Sequence, residues 1–159
     1  MILVTAGTVS YPFPRLIDSC YQFFKKLPKN PVILQTGSYK FKSQVTHITC
    51  HQQIIYPKLI HLYKNSEIII SGAGEGSLLN ILAYSQTKPI VVPRLTKYNE
   101  HVDNQQLTIA KYLAKNNKVI YLKDFNDLSS AITQITKQHS TINLVPNPKL
   151  IAYLKTITS

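Results

Sequence analysis

The amino-acid sequence predicts a single α/β domain of the Rossmann-like kind, in which a parallel sheet is flanked by helices. Short β-rich runs alternate along the chain with longer segments of helical periodicity, which is the pattern of such a sheet. The 159 residues are enough for one core, and 44% hydrophobic and 16% charged residues are typical of a globular protein. We find no internal repeat and no long polar tract that would favour another class.

Six β-rich runs predict the strands of the sheet. They are Ile2–Ala6, Val32–Thr36, Val45–Thr49, Glu67–Ser71, Pro89–Val92 and Val119–Leu122. Because parallel strands place their carboxyl ends on one side of the sheet, a ligand should bind there, in the crevice where the strand order reverses.

Segments of helical periodicity predict six helices. They are Phe13–Leu27, Ile54–Lys64, Ser77–Gln86, Val102–Asn116, Asn126–Gln138 and Pro148–Ile157. The fourth shows the periodicity well, and its apolar stripe consists of Leu107, Ala110, Leu113 and Ala114. Asp103 falls in its predicted first turn, where the helix dipole favours an acid.

The last predicted helix lies outside this alternation, because it follows a linker with Pro146 and Pro148. We therefore divide the chain into a domain of residues 1–145 and a C-terminal helical arm of residues 146–159. Two interpretations of the arm stay open: it docks on a partner, or it closes its own domain.

The net charge of +11 favours an anionic partner, which is a nucleic acid, an acidic bilayer surface or a phosphorylated ligand. The basic residues are nearly all lysines scattered along the chain, with Arg15 and Arg94 as the two arginines. Nucleic-acid binders more often carry arginine-rich stripes or interleaved stacking aromatics, so we expect no nucleic-acid partner. A nucleic-acid binder would instead show steep salt-dependent binding to any duplex.

The compartment is predicted to be the cytoplasm. No apolar run approaches the ~20 residues of a membrane span, and the start of the chain lacks the basic region and cleavage site of a signal peptide. Cys20 and Cys50 have no metal-ligand spacing, which predicts reduced structural thiols.

The best local motif is a Gly-rich turn between a strand and a helix, within Ile68–Asn80. Glycines allow the backbone to approach a ligand and to take positive φ, and the free N–H groups of the helix attract phosphate. Ser77 replaces the last glycine of a G-x-G-x-x-G pattern that begins at Gly72, and the G-K-[ST] ending of a P-loop is missing. A tight turn without a ligand is the alternative interpretation.

Two further turns and a polar loop follow predicted strands. Val4–Thr8 and Leu34–Ser38 contain glycine and should share a rim with the Gly-rich turn. The loop Pro93–Gln106 combines a carboxylate with carboxamides, which supply the acceptors and donors that sugar hydroxyls need. A helical N-terminus rich in capping residues explains the same composition, and that alternative stays open.

Through these segments the sequence resembles the C-terminal domain of glycosyltransferase family 28. It most closely resembles the PssE-type subunits of bacterial exopolysaccharide synthesis and their eukaryotic counterparts in dolichol-linked oligosaccharide assembly. Met1–Thr8 with Phe13–Ile17 is similar to the family's V-T-x-G-T … F-D-R-L, and Ser71–Ser77 is similar to S-H-A-G-x-G-S. Pro89–Gln106 is similar to K-P-x-x-V-V-P-R … E-H-V-D-x-x-Q, the most specific of the three. The likeness covers about residues 1–122.

The resemblance implies the donor-binding half of a GT-B glycosyltransferase, which moves a hexose or hexuronic acid with inversion from a uridine diphosphate (UDP) sugar to a lipid-linked acceptor. A membrane-anchored PssD-type subunit supplies the acceptor side, and the arm docks on it, which holds the protein at the cytoplasmic face of the membrane. By position, the turn from Gly72 to Ser77 meets the pyrophosphate, Asn80 faces the ribose, and Asp103 with Gln105 and Gln106 lies at the donor sugar. The predicted donor-binding residues are Gly7, Thr8, Gly72, Ala73, Gly74, Glu75, Gly76, Ser77, Asn80, Arg94, Asp103, Gln105 and Gln106.

Three positions depart from the family pattern. Gly72 stands where the family usually has His, Pro14 where it has Asp, and Asn80 where relatives often have Glu to hold both ribose hydroxyls. Asn80 can bond those hydroxyls only as a neutral group. A second hypothesis therefore stays open: a non-catalytic subunit that binds the nucleotide sugar or stabilises such a complex.

Sugar transfer requires positive charge at the leaving diphosphate and a base for the acceptor hydroxyl. No two aspartates of the chain have the Asp-x-Asp spacing of many metal-dependent transferases, so we predict no metal and no other cofactor. The charge is assigned to the helix N-terminus at Ser77 with Arg94 or Lys97. His101 is a local candidate for the base, but loop histidines are more often surface residues. The catalytic residue is therefore left unassigned, and we expect the partner subunit to supply it.

Overall fold

The computed structural model describes residues 1–28 and 30–137 of the chain. The predicted helix Pro148–Ile157 and the arm of residues 146–159 lie outside the described residues, as does the last residue of the helix predicted to end at Gln138. The division of the chain into a domain and an arm therefore stays a prediction.

Six strands and five α-helices alternate along the described chain. The strands are β1 Ile2–Thr5, β2 Val32–Gln35, β3 Ile48–His51, β4 Ile68–Gly72, β5 Ile90–Val92 and β6 Ile120–Tyr121. The helices are α1 Pro14–Phe24, α2 Tyr56–Asn65, α3 Glu75–Tyr84, α4 Gln105–Lys115 and α5 Leu128–Lys137. Two short 3₁₀ turns, Thr96–Tyr98 and Phe125–Asp127, precede α4 and α5.

All six strands form one parallel sheet in the order β3-β2-β1-β4-β5-β6. Ile2 pairs with Val32 of β2 on one side and with Ile68 of β4 on the other. The order of connection therefore reverses between β1 and β4, which is where ligands bind in open sheets of this kind. The predicted fold class is confirmed.

The two central strands, β1 and β4, are buried on both faces, which explains their continuous apolar runs. On one face Val4 and Ile70 pack with residues of α1 and α5. On the other face Leu3 and Ile69 pack against Leu62 of α2 and other residues of α2 and α3. Since the interior of the sheet is sealed on both faces, access to the switch point is confined to the loops at its carboxyl edge.

The third strand begins later than Val45–Thr49, the range that its alternating sequence predicted. The Ser43 hydroxyl bonds both the N–H and the carbonyl of Val45, which turns the chain at that point. The backbone becomes extended at Ile48, where it pairs with Val32 of β2. The predicted start was wrong because the side chain of a serine outside the apolar pattern fixes the turn.

Helix α4 also begins later than predicted, at Gln105. The Asp103 carboxylate accepts the N–H of Gln105 at 3.0 Å, so this acid lies before the helix and not in its first turn. The buried positions of α4 are Gln106, Ile109, Ala110 and Leu113. The predicted stripe was right at Ala110 and Leu113, whereas Leu107 and Ala114 are only half-buried.

Candidate functional site

A cavity of about 320 Å³ opens at the carboxyl edge of the sheet, where β1 and β4 diverge. It brings together the turn after β1, the Gly-rich turn with α3, one side of α2, and two residues that follow β5. The lining residues are Ala6, Gly7, Thr8, Val9, Tyr56, Leu59, Tyr63, Gly72, Gly74, Glu75, Gly76, Ser77, Asn80, Arg94 and Gln106. Of the predicted donor-binding residues, Ala73, Asp103 and Gln105 are the ones that do not line it.

The N-terminus of α3 forms one wall of this cavity. Helix α3 begins at Glu75, two residues earlier than predicted, and no side chain within the described part of the chain caps it at Gly74. The first N–H groups of a helix have no acceptor within the helix, so those of α3 are available to a ligand. A β-carbon added at Gly74 or Gly76 would meet no atom of the described residues within 4 Å. The two glycines therefore leave open space directly over free amides.

The expected positive φ of the Gly-rich turn is wrong, because among the described glycines Gly7 and Gly37 have it, at 76° and 61°. These two glycines bring the neighbouring turns into close contact. A β-carbon on Gly7 would lie 3.3 Å from the Ser77 hydroxyl, and one on Gly37 would lie 2.9 Å from the Gly7 carbonyl. The turn after β1 therefore packs against the α3 terminus, and the turn after β2 packs against the turn after β1. Gly72 has a packing reason instead, since its β-carbon would lie 3.4 Å from the Phe13 ring.

Arg94, expected to face a diphosphate, is buried and bonded to the protein itself. Its Nη2 donates to the Ala6 carbonyl at 2.8 Å, and its Nη1 donates to the Pro12 carbonyl at 3.3 Å. Its guanidinium lies 4.4 Å from the centre of the Phe13 ring. Burial lowers the pKa of Arg94 to about 10, against the opposing effect of Glu100, so the side chain stays charged at neutral pH. It tethers the loop after β1 and adds positive charge at the cavity, which it lines.

The polar loop after β5 divides between the cavity and its surroundings. Gln106 is buried at the cavity, and its Oε1 accepts the N–H of Arg94 at 3.1 Å. Asp103 instead lies outside, where it accepts from Gln105 and lies 3.2 Å from Nδ1 of His101. The predicted donor-sugar cluster is therefore split, with Gln106 alone inside the cavity.

Asn80 lines the cavity but already has two partners. Its Oδ1 accepts the Tyr56 hydroxyl at 2.9 Å, and its Nδ2 donates to the Gly76 carbonyl at 2.8 Å. Tyr56 belongs to α2, which also contributes Leu59 and Tyr63 to the wall. The sequence did not reveal this wall, because apolar and aromatic residues on a helix are typical of a face that packs on the core.

An ion pair that the sequence also did not reveal joins α1 to the loop after β5. Arg15 donates from Nε and Nη2 to the two carboxylate oxygens of Glu100, at 2.8 and 2.7 Å. The same carboxylate accepts the N–H of Leu95 at 3.0 Å, and Arg15 also bonds the Pro93 carbonyl. Both residues fall within the quoted motifs, but a contact between positions 85 apart has no local signal.

A second, larger cleft of about 820 Å³ lies beside the cavity, along the ends of β5 and β6. Its lining includes the cationic residues Arg15, Lys97, Lys111 and Lys123. Lys97, the alternative partner of the diphosphate, lies here with its ammonium 4.7 Å from the Tyr98 ring centre. It does not line the cavity at α3.

Metal ligation and membrane insertion have no structural signal within residues 1–28 and 30–137. No three or more His, Cys, Asp or Glu side chains come together there in a group able to hold a metal ion. None of the helices in that part of the chain combines the length and the apolar character needed to cross a bilayer.

Comparison with known proteins agrees with the fold and the motifs. The family model described as the glycosyltransferase family 28 C-terminal domain matches residues 1–149. The chain is similar to the solved glycotransferase of kitacinnamycin, at 15% identity and a TM-score of 0.64, and to CalG4, the calicheamicin glycosyltransferase, at 12% and 0.63. Each comparison covers 98% of this chain and 37% of the other, so the chain spans little more than a third of those structures. No curated protein matches in sequence.

At these identities the solved structures show the fold alone, and this chain corresponds to the C-terminal half of a GT-B glycosyltransferase. The family match covers nearly the whole chain, including the three motifs and all the residues that line the cavity. The chain belongs to the glycosyltransferase family 28 C-terminal domain family.

Proposed function

We propose that the chain is the donor-binding, catalytic subunit of a two-component inverting glycosyltransferase of the PssE type. It transfers a hexose or hexuronic acid from a UDP-sugar to a lipid-linked acceptor in polysaccharide biosynthesis. The observation that carries this proposal is the uncapped N-terminus of α3, which opens with Gly74 and Gly76 into the cavity at the switch point. A diphosphate fits this chemistry, because helix N-terminal amides combine donor groups with a positive dipole end.

The helix terminus needs help to hold a diphosphate. A helix dipole stabilises an anion by about 0.3–1 kcal/mol, and by up to ~2 kcal/mol when the site is partly buried. The hydroxyls of Ser77 and Thr8 line the same cavity and can donate to phosphate oxygens. Arg94 lines the same cavity, and its buried charge strengthens the field at the leaving group.

In the proposed reaction the bond between the anomeric carbon and the diphosphate oxygen breaks as the acceptor hydroxyl attacks from the opposite face. The diphosphate leaves with the bonding electrons, and its growing charge meets the α3 amides. The hydroxyl proton passes to a base. Gln106 is the predicted sugar-contacting residue within the cavity, and we assign Asp103 and Gln105 to the edge of the donor sugar beyond it.

The base and the acceptor site are assigned to a membrane-anchored PssD-type partner. Among the described residues that line the cavity, Glu75 is the one carboxylate, and there is no histidine. His101 pairs with Asp103 outside the cavity, and its ring lies 5.7 Å from that of Tyr11. The net charge of +11 suits a protein held at the anionic cytoplasmic face of a membrane by such a partner.

The non-catalytic alternative keeps a specific observation in its favour. Asn80 and Gln106 both form hydrogen bonds within the protein, which leaves each with fewer donor and acceptor sites for a nucleotide sugar. A subunit that only binds the donor or stabilises its partner would tolerate this loss.

Turnover separates the two functions. The chain is co-expressed with a candidate membrane-anchored α/β partner, and release of UDP from a UDP-sugar is followed in the presence of a lipid-linked acceptor. The proposal expects UDP release that depends on both subunits and falls in a Ser77→Ala/Gln106→Ala double variant. Release at the full rate with that double variant would remove the assigned site, and release by the partner alone would favour the non-catalytic subunit.

A further inference from the structure

Tyr56 forms a bridge from the start of α2 to the middle of α3 across the mouth of the cavity. Its hydroxyl donates to Oδ1 of Asn80 at 2.9 Å, and both residues line the cavity. Tyr56 is 56% exposed, so its hydroxyl is not placed there by burial in the core. None of the three sequence motifs includes Tyr56.

The orientation of the Asn80 amide follows from the chemistry of its two partners. The Gly76 carbonyl can only accept, so the Asn80 atom that lies 2.8 Å from it must be the amide nitrogen. The amide oxygen then faces Tyr56, whose hydroxyl must be the donor in that bond. The two contacts therefore hold the amide in one orientation.

The bridged amide keeps a defined bonding capacity for a ligand. Asn80 Oδ1 has two acceptor sites and Nδ2 has two hydrogens, and Tyr56 and Gly76 use one of each. One acceptor site and one N–H remain. A vicinal diol matches this pair, because one of its hydroxyls can donate while the other accepts.

We propose that Tyr56 is a positioning residue that presents the Asn80 amide to the ribose diol of the nucleotide. This inference rests on the proposed function, since it takes the ligand to be a ribonucleotide. A carboxylate could accept from both hydroxyls in either orientation. A neutral amide has an oxygen that accepts and a nitrogen that donates, so it must be held with each of them facing the matching hydroxyl. Tyr56 supplies that restraint from outside α3.

Calorimetry with nucleotides that lack single hydroxyls tests the proposal. The full chain is titrated with UDP, 2′-deoxy-UDP and 3′-deoxy-UDP, as wild type and as Tyr56→Phe. Tyr56→Phe removes one restraining hydrogen bond, which should weaken the binding of UDP about three- to tenfold. One of the two deoxy analogues lacks the hydroxyl that would donate to Asn80 Oδ1. Tyr56→Phe should weaken the binding of that analogue less than about twofold. Tyr121→Phe removes the same atom at a residue that lines the separate cleft, and it should change neither affinity.

A double-mutant cycle with Asn80→Ala assigns the effect to the bridge. In the Asn80→Ala background, Tyr56→Phe should produce no further loss of UDP affinity. An equal loss in both backgrounds, or an equal loss for all three nucleotides, overturns the positioning role. If wild type binds UDP but does not distinguish it from the deoxy analogues, this inference fails and the proposed function stands. If wild type binds no UDP, both fail.

Discussion

Ser77→Ala should weaken the binding of UDP while leaving the fold at least as stable. Ser77 is the third residue of α3 and lines the cavity, and within the described residues its hydroxyl bonds no protein atom. The hydroxyl is therefore free to donate to a phosphate oxygen. A hydrogen bond to a charged group is worth about 1.5–3 kcal/mol, which corresponds to roughly a ten- to 150-fold loss of affinity.

The effect on folding has the opposite sign. Alanine is the better helix former by a few tenths of a kcal/mol, and no N-cap is lost because Gly74 holds that position. The free energy of unfolding in urea should therefore stay the same or rise slightly. Calorimetric titration with UDP measures the affinity, and unfolding in urea measures the stability. Both are carried out at the same salt concentration.

Ser130→Ala provides the matched control. Ser130 is the third residue of α5 and is exposed, so it undergoes the same chemical change in an equivalent helical position away from the cavity. Its UDP affinity should equal that of wild type. Equal affinities of wild type and Ser77→Ala would refute the assignment of the diphosphate to the α3 terminus, as would an equal loss in the control.

Three further predictions concern the scaffold around the site. Arg94→Met removes the donors of the Ala6 and Pro12 carbonyls, so urea unfolding should show a loss of about 2–4 kcal/mol, and an unchanged midpoint would contradict the tether. Glu100→Gln leaves the Arg15 charge without its partner. Because that ion pair is largely buried, the free energy of unfolding in urea should fall by about 3 kcal/mol. A fall of less than about 1 kcal/mol is typical of a surface ion pair and would contradict this reasoning. Burial raises the pKa of the Cys20 thiol, so a thiol reagent at pH 8 should label Cys20 only after urea is added, and fast labelling of the native protein would contradict its burial.

The sheet was predictable because its signal is local. Strands such as Ile68–Gly72 are apolar on both faces, and the alternation of strands with helices leaves few topologies. Boundaries were less predictable wherever a polar side chain decides them. The Ser43 hydroxyl delays β3 and the Asp103 carboxylate delays α4, and neither effect appears in an apolar pattern.

The site was predictable as a set of loops but not as a set of contacts. The glycines at 74 and 76 and the hydroxyl at Ser77 were identified because a strand–turn–helix sequence places free amides there. The burial of Arg94 depends on which loop packs over it, and the bond between Tyr56 and Asn80 depends on which helices are neighbours. Those contacts join residues 24 or more positions apart. From the sequence alone, an arginine in a loop is expected to be an exposed charge. Its burial becomes evident only when the loop that covers it is known.

Substitution of Gly37 should alter the candidate site indirectly. Gly37 lies outside the cavity, yet any side chain there would press on the Gly7 carbonyl and would also strain a backbone that has positive φ. The pressure would pass through the turn after β1 to the edge of the cavity, narrowing or tilting its entrance. A substitution at Gly37 should therefore change the shape of the cavity although Gly37 does not line it, and libraries restricted to the lining residues would overlook it.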